Sequence, residues 1–327
     1  MGFGSEFVDQ MAVSRFRDGA WSPAAMCPLT SLDMHPATHA LHYSSACFEG
    51  LKAYRAPDGG VHIFRLDRHI ERMRASARSL CLPVPDSEVL DTLICNLVSA
   101  CRDEVPAPPG SLYLRPVLMG ADLNIGGAAT PATEALLYVL GSPVGDYFGD
   151  TSKALRLLVA DCMRTAPGFG EVKTGGNYSA ALRTVVAAKR QVGADQVLFC
   201  PAGDVQETGA ANFLLVREGA VLTKPLDGNI LAGVTRDSLL RLAGREGYRV
   251  EERNFGVDEM LEWIPDGEAA VSGTAAVLAG VGVLDHKGTE HRVGDGVIGS
   301  HTKRLRSLLT QIQMGAVADQ FGWLRRI

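Results

Sequence analysis

The sequence predicts an α+β protein organised in two domains. The chain has 327 residues, which is enough for two domains or for one large domain. Its candidate strands come in groups separated by helices, without the strict strand–helix alternation that builds a doubly wound sheet. Turn-forming residues are concentrated in segment 143–153, which favours an interdomain loop there. We therefore predict a small N-terminal α/β domain at 1–142 and a large C-terminal domain at 154–327.

The N-terminal domain is predicted to begin with a polar, proline-containing lead that runs to about His42. A strand is predicted at 61–66. A helix follows, because apolar residues recur at spacings of four and three, namely Leu66, Ile70, Met73, Ala77 and Leu80. Asp67 is in position to cap this helix, and Pro83 and Pro85 end it. The remaining predicted elements are a helix at 87–102 and strands at 111–119 and 135–140.

The C-terminal domain is predicted to contain groups of strands that are separated by helices. Its predicted strands are 155–160, 196–200, the hairpin pair 212–216 and 220–222, 249–252, and strand-rich segment 268–280. Its predicted helices are 178–191, 236–243 and 300–314.

Composition and charge exclude several classes of partner. The formal net charge is −5 and the isoelectric point is near 5.9, whereas nucleic-acid-binding proteins usually present a basic face. No stretch approaches the roughly 20 apolar residues that cross a bilayer, and the N-terminus lacks the pattern of a secretory signal. We therefore expect neither a nucleic acid nor a membrane as a partner.

The seven cysteines indicate a reducing compartment. Their number is odd, no C-x-x-C pair occurs, and no cluster has the spacing of a metal site. Reduced, mostly buried thiols are therefore expected. This favours a cytoplasmic protein without a bound metal.

Lys173 lies in a glycine-containing string, Glu171-Val-Lys-Thr-Gly-Gly-Asn-Tyr178, that opens a predicted helix. A lysine attacks an aldehyde only as the neutral amine, although its pKa in free solution is about 10.4. Burial beside a cationic ring system is the usual way to obtain the neutral form. Neighbouring glycines let the backbone approach a flat cofactor closely. Taken alone, however, such a string more often marks a surface lysine in a loop.

Glu207 precedes another glycine-containing string, Thr208-Gly-Ala-Ala-Asn-Phe213. A carboxylate that faces the pyridine nitrogen of pyridoxal phosphate keeps this nitrogen protonated and the ring an electron sink. The alternative is a solvated glutamate at a hairpin, which is the commoner case.

Two further strings have the composition of anion sites. In Leu231-Ala-Gly-Val-Thr-Arg-Asp-Ser238 a glycine precedes a helix, so the amides of Val234 and Thr235 can face an anion along the helix axis. Ser272-Gly-Thr-Ala275 offers a glycine-flanked hydroxyl and amide. Each string fits a simple helix cap or turn equally well. The glycine-rich motifs of dinucleotide and nucleotide cradles do not occur.

Several strings occur in a characteristic order along almost the whole chain. They are His42-Tyr43, Phe48-Glu-Gly-Leu-Lys-Ala-Tyr54, Ser111-Leu-Tyr-Leu-Arg-Pro116, Lys173-Thr-Gly-Gly-Asn-Tyr178 and Ile230-Leu-Ala-Gly-Val-Thr-Arg236. In this order they resemble the fold-type-IV branched-chain aminotransferases, most closely the mammalian-like branch. The resemblance implies the two-domain fold of that family, with pyridoxal 5'-phosphate bound by the C-terminal domain.

The resemblance also implies roles for the cofactor-binding residues. Lys173 matches the lysine that holds the cofactor as a Schiff base, and Glu207 matches the partner of the ring nitrogen. Tyr178 matches the tyrosine that hydrogen-bonds the ring hydroxyl. The matches to phosphate-binding residues are Arg72, Val234, Thr235 and Thr274. The residues alone place Arg72 only on the flank of a predicted amphipathic helix, so its role as a phosphate ligand depends on the resemblance.

A second set of matches belongs to the substrate site of the family. These residues are Tyr43, Phe48, Tyr113, Arg115 and Ala275, with Phe3 and Tyr147 as aromatic residues that line the pocket. In the family, part of this pocket comes from the neighbouring subunit. The resemblance therefore implies a homodimer.

The implied reaction moves the amino group of L-leucine, L-isoleucine or L-valine to 2-oxoglutarate in a ping-pong mechanism, with branched 2-oxo acids and L-glutamate as products. Arg115 would suit the distal carboxylate of glutamate, whereas the aromatic residues suit aliphatic side chains. The ranking of the three amino acids and the metabolic direction stay open.

The sequence departs from the family pattern at four positions. Ala276 and Ala279 stand where the mammalian enzymes have a C-x-x-C redox pair, which removes the thiol switch. Ala210 replaces a threonine, and Gly127 replaces a valine of the substrate pocket. These two changes leave the fine shape of the pocket open.

Two kinds of alternative remain beside this interpretation. A D-amino-acid transaminase, an amine transaminase or an aminodeoxychorismate lyase shares the fold type, but string 48–54 and the Tyr113-x-Arg115 pair disfavour them. A cofactor-binding scaffold without catalysis is disfavoured because Lys173, Glu207 and Tyr178 are retained together.

Overall fold

The computed structural model describes residues 3–145 and 153–327, which divide into two compact units. Among the described residues, the first unit contains 3–145, Val172–Gly176 and Ile312–Ile327, and the second contains 153–171 and Asn177–Gln311. Two late segments thus belong to the first unit, whereas the predicted domains follow the chain continuously. The domain boundaries stay a prediction.

The elements of both units are numbered in chain order. The strands up to residue 145 are β1 (Gln10–Arg17), β2 (Ala20–Trp21), β3 (Ala25–Pro28), β4 (Ala46–Phe48), β5 (Leu51–Arg55), β6 (Val61–Phe64), β7 (Ser111–Gly120) and β8 (Ala135–Val144). The helices there are α1 (His39–Tyr43), α2 (Leu66–Ser79) and α3 (Ser87–Ala100).

The strands after residue 153 are β9 (Leu155–Ala160), β10 (Gln196–Phe199), β11 (Asn212–Arg217), β12 (Ala220–Thr223), β13 (Arg249–Glu252), β14 (Glu268–Gly273), β15 (Val277–His286), β16 (Thr289–Arg292) and β17 (Leu324–Arg326). The helices there are α4 (Gly175–Val192), α5 (Val234–Arg245), α6 (Val257–Trp263) and α7 (Ser300–Gln313).

Each unit is built on its own sheet. In the first unit the strand order is β17-β6-β5-β7-β8-β1-β2, with β3 beside β1 and β4 beside β7, and the pairs are antiparallel. In the second unit the order is β10-β9-β15-β14-β11-β12-β13, with β16 beside β15, and parallel and antiparallel pairs are mixed. Separate sheets with helices packed beside them confirm the predicted α+β class.

The interpretation of the residues up to about His42 as a polar lead is wrong, because β1, β2 and β3 of the first sheet lie there. β1 pairs with β8 on one side and with β3 on the other. Met11 and Ala12 are buried, and Ser14 is buried with its hydroxyl donated to the Ser22 carbonyl. Strand prediction depends on the alternation of apolar and polar residues. A buried polar residue that finds its hydrogen-bond partner inside the fold interrupts this alternation.

The predicted helix at α2 is confirmed, but its predicted cap is wrong. Leu66, Ile70, Met73 and Ala77 are buried as their spacing requires. The residue at the N-cap position is Arg65, which has φ 51° and makes no side-chain cap hydrogen bond. Asp67 lies inside the first turn, where a negative charge still stabilises the helix dipole.

The predicted interdomain loop overlaps the end of a strand. β8 continues to Val144, so the first two residues of segment 143–153 pair with β7. Residues 146–152 lie outside the described part of the chain, and Tyr147 is among them. None of the described helices is long and apolar enough to span a membrane. In the same residues, no group of three or more His, Cys, Asp or Glu side chains has the arrangement of a metal site.

Candidate active site

Lys173 belongs to the first unit, where its backbone is fixed by β4 and α2. The Phe48 amide donates to the Lys173 carbonyl at 3.0 Å, and the Thr174 hydroxyl donates to the Ala46 carbonyl at 2.8 Å. On the other side, the Lys173 amide donates to the Ser76 hydroxyl at 3.0 Å. Three hydrogen bonds therefore define the position from which the Lys173 side chain extends.

Lys173 forms an aromatic–cation cluster with four of the predicted substrate residues; the cluster is defined as Phe3, Phe48, Tyr113, Arg115 and Lys173. Lys173 Nζ lies 5.0 Å from the centroid of the Phe48 ring, and Arg115 Cζ lies 4.7 Å from it. Phe3 and Tyr113 contact edge to face at 5.0 Å. Tyr113 and Arg115 are two residues apart on β7 and so point to one face of the sheet. The first unit thus brings an amine, a guanidinium and apolar rings together.

Arg72, the predicted phosphate ligand, is held in a buried ion pair on α2. Its Nε and Nη2 donate to the two carboxylate oxygens of Glu49 at 2.7 and 2.8 Å. His69 Nδ1 donates to Glu49 Oε2 at 2.7 Å. This fork fixes the plane of the Arg72 guanidinium.

The charge state of this group follows from its contacts. Burial alone would raise the pKa of the Glu49 carboxyl, but the charge and hydrogen bonds of Arg72, with the hydrogen bond of His69, outweigh burial and hold this pKa well below its usual range. Burial lowers the pKa of His69 against the opposing bond to Glu49. Glu49 is therefore ionised, and Arg72 keeps a fixed partner.

Tyr43 is not part of the aromatic–cation cluster. It lies at the end of α1, where its hydroxyl donates to the Ile125 carbonyl. Gly127 lies nearby, because its carbonyl is 3.1 Å from His39 Nε2. A Cβ at Gly127 would meet the His39 ring at 3.0–3.1 Å, which explains why a small residue fits at this position.

In the second unit, Glu207 is a buried carboxylate that is held by side-chain and backbone donors. Arg164 Nη2 lies 2.7 Å from Oε1, the Leu231 amide donates to the same oxygen at 3.1 Å, and Asn212 Nδ2 donates to Oε2 at 2.7 Å. Arg164 Nη2 also donates to the Gly170 carbonyl at 3.0 Å. The solvated glutamate at a hairpin is thereby excluded, since Glu207 is held in a polar network.

Asn212 connects Glu207 to both predicted anion strings. Besides Glu207, its Nδ2 donates to the Leu231 carbonyl at 2.9 Å. A Cβ at Gly233 would lie 1.9 Å from Asn212 Oδ1, so only glycine fits before α5. On the neighbouring strand, Asn212 pairs with Ser272. The second unit therefore places Glu207, the start of α5 and the 272–275 turn around one asparagine.

The remaining predicted residues of the second unit lie at these elements. Val234 and Thr235 are buried in the first turn of α5, whose N-cap residue Gly233 makes no side-chain cap hydrogen bond. Thr274 and Ala275 are half-buried in the turn between β14 and β15, and Tyr178 is half-buried in α4. Tyr147 lies outside the described residues.

The sequence interpretation gave no role to several residues that the structure places in contact with the predicted ones. They are Glu49, His69, Ser76, Arg164, Asn212 and Leu231. Glu49 lies in string 48–54 and Asn212 in string 208–213. A charged or amide residue between apolar neighbours is a usable signal of a buried polar group. Arg164 and Ser76 carry no such local signal.

Comparisons with known proteins agree with this arrangement. The family model for amino-transferase class IV matches residues 46–281. The probable branched-chain-amino-acid aminotransferase of Streptomyces coelicolor is 39% identical over 100% of this chain and 92% of that protein. The branched-chain-amino-acid transaminase 1 of Bacillus subtilis is 37% identical over 99% and 93%.

A solved structure gives the same result. The branched-chain amino acid aminotransferase of T.th., crystallised with pyridoxamine 5'-phosphate, superposes with a TM-score of 0.80 at 29% identity over 96% of this chain and 98% of that one. The chain therefore belongs to the class IV amino-transferases, within the branched-chain aminotransferases. The resemblance, the fold type and the enzyme class expected from the sequence are confirmed.

Proposed function

We propose that the enzyme transfers the amino group of L-leucine, L-isoleucine or L-valine to 2-oxoglutarate by a ping-pong mechanism. The observation that carries the proposal is the aromatic–cation cluster, in which Lys173 and Arg115 lie 5.0 and 4.7 Å from one Phe48 ring. An apolar side chain fits against the rings, and a second carboxylate fits Arg115. A single site can thus accept both substrates of the two half-reactions.

The residues of the chain fit the cofactor pyridoxal 5'-phosphate. The N-cap residue of α5 is Gly233, which has no side chain to cap the first-turn amides of Val234 and Thr235. These amides can therefore donate to a bound anion. The buried Ser272 hydroxyl, at the start of the 272–275 turn, has no hydrogen-bond partner among the described residues. Arg72, oriented by Glu49, would supply a fixed cation for the phosphate, and Glu207, oriented by Arg164, would supply a fixed anion for the ring nitrogen.

The chemistry divides between the cofactor and the chain. When bound, pyridoxal phosphate supplies an electron sink next to the carbon that loses its proton. Lys173 Nζ would hold the cofactor and then move the α-proton of the substrate. Glu207 would keep a proton on the ring nitrogen, and Tyr178 would hydrogen-bond the ring hydroxyl. Phe48 and Tyr113 would exclude water from the reacting atoms.

Ligands of a relative support the dual recognition. The T.th. enzyme, 28% identical, was solved with N-(5'-phosphopyridoxyl)-L-glutamate and, separately, with 4-methylvaleric acid. One of these ligands carries a second carboxylate and the other a branched apolar chain. We infer the same two substrate classes for this enzyme.

Single-turnover spectroscopy tests the proposed function. Adding L-leucine, L-isoleucine or L-valine to the holoenzyme should bleach the visible band of the cofactor, and 2-oxoglutarate should restore it. A D-amino acid is the matched control. Rapid bleaching by the D-amino acid, with none by the three L-amino acids, would support the D-amino-acid transaminase instead.

Replacing Arg115 by Ala should weaken the glutamate half-reaction much more than the leucine half-reaction. The second carboxylate loses its only proposed cation, and an unpaired buried charge costs about 2–4 kcal/mol, or roughly thirty- to a thousandfold in kcat/KM. Each half-reaction is measured alone by the colour change. Equal losses in both would mean that Arg115 only supports the structure of the site.

We also propose a homodimer formed through the surface around α1. Leu41, Leu123 and Ile125 are 56%, 61% and 69% exposed, and the Tyr43–Ile125 bond joins α1 to the 123–126 segment. An apolar patch of this kind is typical of a protein interface. Sedimentation should give about twice the 34.8 kDa chain mass. Ile125→Lys should shift the mass towards the monomer, whereas Val297→Lys on the second unit should not.

The free cysteines support a reducing compartment as the site of action. All seven lie within the described residues and none is in a disulfide. We propose the cytoplasm on this basis.

A further inference from the structure

Arg115 is a partly buried cation whose contacts in the first unit are aromatic. Its Cζ atom lies 4.7 Å from the centroid of the Phe48 ring and 5.3 Å from that of Tyr113. Nη2 donates to the Tyr113 hydroxyl at 2.7 Å, and the described part of the chain offers the buried Nε no hydrogen-bond partner. Within residues 3–145 and 153–327, no carboxylate forms an ion pair with Arg115. Two ring faces therefore stabilise the guanidinium.

The backbone of the first unit makes this arrangement rigid. Phe48 pairs with Val117 across β4 and β7, so its ring lies on the face that also carries Tyr113 and Arg115. A Cβ at Gly50 would lie 2.0 Å from the Tyr113 hydroxyl oxygen, so glycine is required for this hydroxyl to reach its place. The rings are fixed before any ligand arrives.

We infer that Phe48 is a specificity-determining residue that favours apolar over dicarboxylic substrates by holding the Arg115 guanidinium against its ring. The inference rests on the proposed function, in which Arg115 pairs with the distal carboxylate of glutamate. A bound apolar ligand displaces water from Arg115, so only the aromatic rings stabilise the guanidinium. A cation–π contact is strongest when it is desolvated in this way. A dicarboxylic ligand supplies an ion pair instead. Loss of the ring therefore penalises the apolar ligand selectively.

Calorimetry on the holoenzyme tests this with two unreactive acids. These are 4-methylvalerate, which carries one carboxylate, and glutarate, which carries two. Phe48→Leu should weaken the binding of 4-methylvalerate relative to that of glutarate. The expected change in the ratio of the two Kd values is roughly two- to thirtyfold, the range of a cation–π contact. Phe48→Tyr keeps the ring face and should leave the ratio of the two Kd values within about twofold of wild type. A change in the Lys173 environment affects both acids and cancels in this ratio.

A double-mutant cycle separates the cation–π contact from simple packing. If Phe48 acts through Arg115, Phe48→Leu should weaken 4-methylvalerate less in an Arg115→Met background than in wild type. An equal loss in both backgrounds would mean that the ring only packs against the ligand, and would overturn the inference. Phe48→Met replaces Phe48→Leu if the latter does not fold, since both remove the ring.

The single variant Arg115→Met distinguishes failure of the inference from failure of the proposed function. If Arg115→Met strongly weakens glutarate binding while the cycle shows no coupling, Arg115 binds the distal carboxylate but Phe48 does not determine specificity through Arg115. If it leaves glutarate binding unchanged, Arg115 does not bind the distal carboxylate. In that case the proposed dual recognition and the inference both fail.

Discussion

Replacing Lys173 by Ala is expected to abolish transamination. The rate should fall on the order of 10⁴-fold or more, because the variant loses both the covalent attachment of the cofactor and the group that moves the α-proton. The backbone bonds of Lys173 to Ser76 and Phe48 do not involve its side chain. The fold should therefore survive, and circular dichroism with thermal melting checks this against the loss of activity.

Borohydride reduction adds a direct measurement to that prediction. Reduction of the wild-type holoenzyme should link the cofactor to one peptide, the one that contains Lys173. Lys189→Ala is the matched control, because Lys189 is exposed in the last turn of α4 and should keep full activity. Label on a different lysine, or a Lys173→Ala enzyme with near-normal turnover, would contradict the assignment.

Long periodic elements could be predicted from the sequence because their burial follows a local pattern. α2 and α7 appear within one or two residues of their predicted bounds, since apolar spacings of three and four decide which face is buried. β1 could not be predicted in this way. Its buried Ser14 is satisfied by Ser22, a partner eight residues away that only the folded sheet brings into reach.

The contacts that orient the site residues could not be predicted from local sequence either. The resemblance in sequence implies cofactor-binding roles for Lys173, Glu207 and Arg72, but it does not indicate which residues orient their side chains. Arg72 is oriented by Glu49, 23 residues away in sequence, through a bidentate bond. No periodicity or composition links such a pair, because sheet register and helix packing determine the contact. Charged residues inside apolar strings, as at Glu49, are the clearest sign that such a partner exists.

The position of Tyr43 could not be predicted for a different reason. Its match to a substrate residue is a statement about a family, whereas its position depends on the assembly. In the described chain its hydroxyl bonds the Ile125 carbonyl, next to the exposed residues proposed to meet a second copy. A sequence pattern contains no information on which subunit a side chain serves.

Replacing Glu207 by Gln is expected to slow the leucine half-reaction by about 10²- to 10³-fold, the effect of losing one fixed electrostatic group. The charge that would keep a proton on the ring nitrogen disappears. The amide also fits its surroundings poorly, because Arg164, Leu231 and Asn212 all donate to Glu207. Whichever way it is turned, the new NH₂ group faces a donor, which costs about 1–3 kcal/mol of stability.

Two control variants separate the lost charge from the lost hydrogen bonds. Glu207→Asp keeps the negative charge and should retain more activity than Glu207→Gln, although its shorter side chain also disturbs the three donors. Asn212→Ala removes one donor to Glu207 and keeps the charge, so it should lower the melting temperature with a smaller loss of rate. Single-turnover rates and melting curves are measured on the same preparations. If Glu207→Gln and Asn212→Ala lose equal rate at equal loss of stability, the network matters only for the fold. A Glu207→Gln enzyme that turns over near the wild-type rate would remove Glu207 from the mechanism altogether.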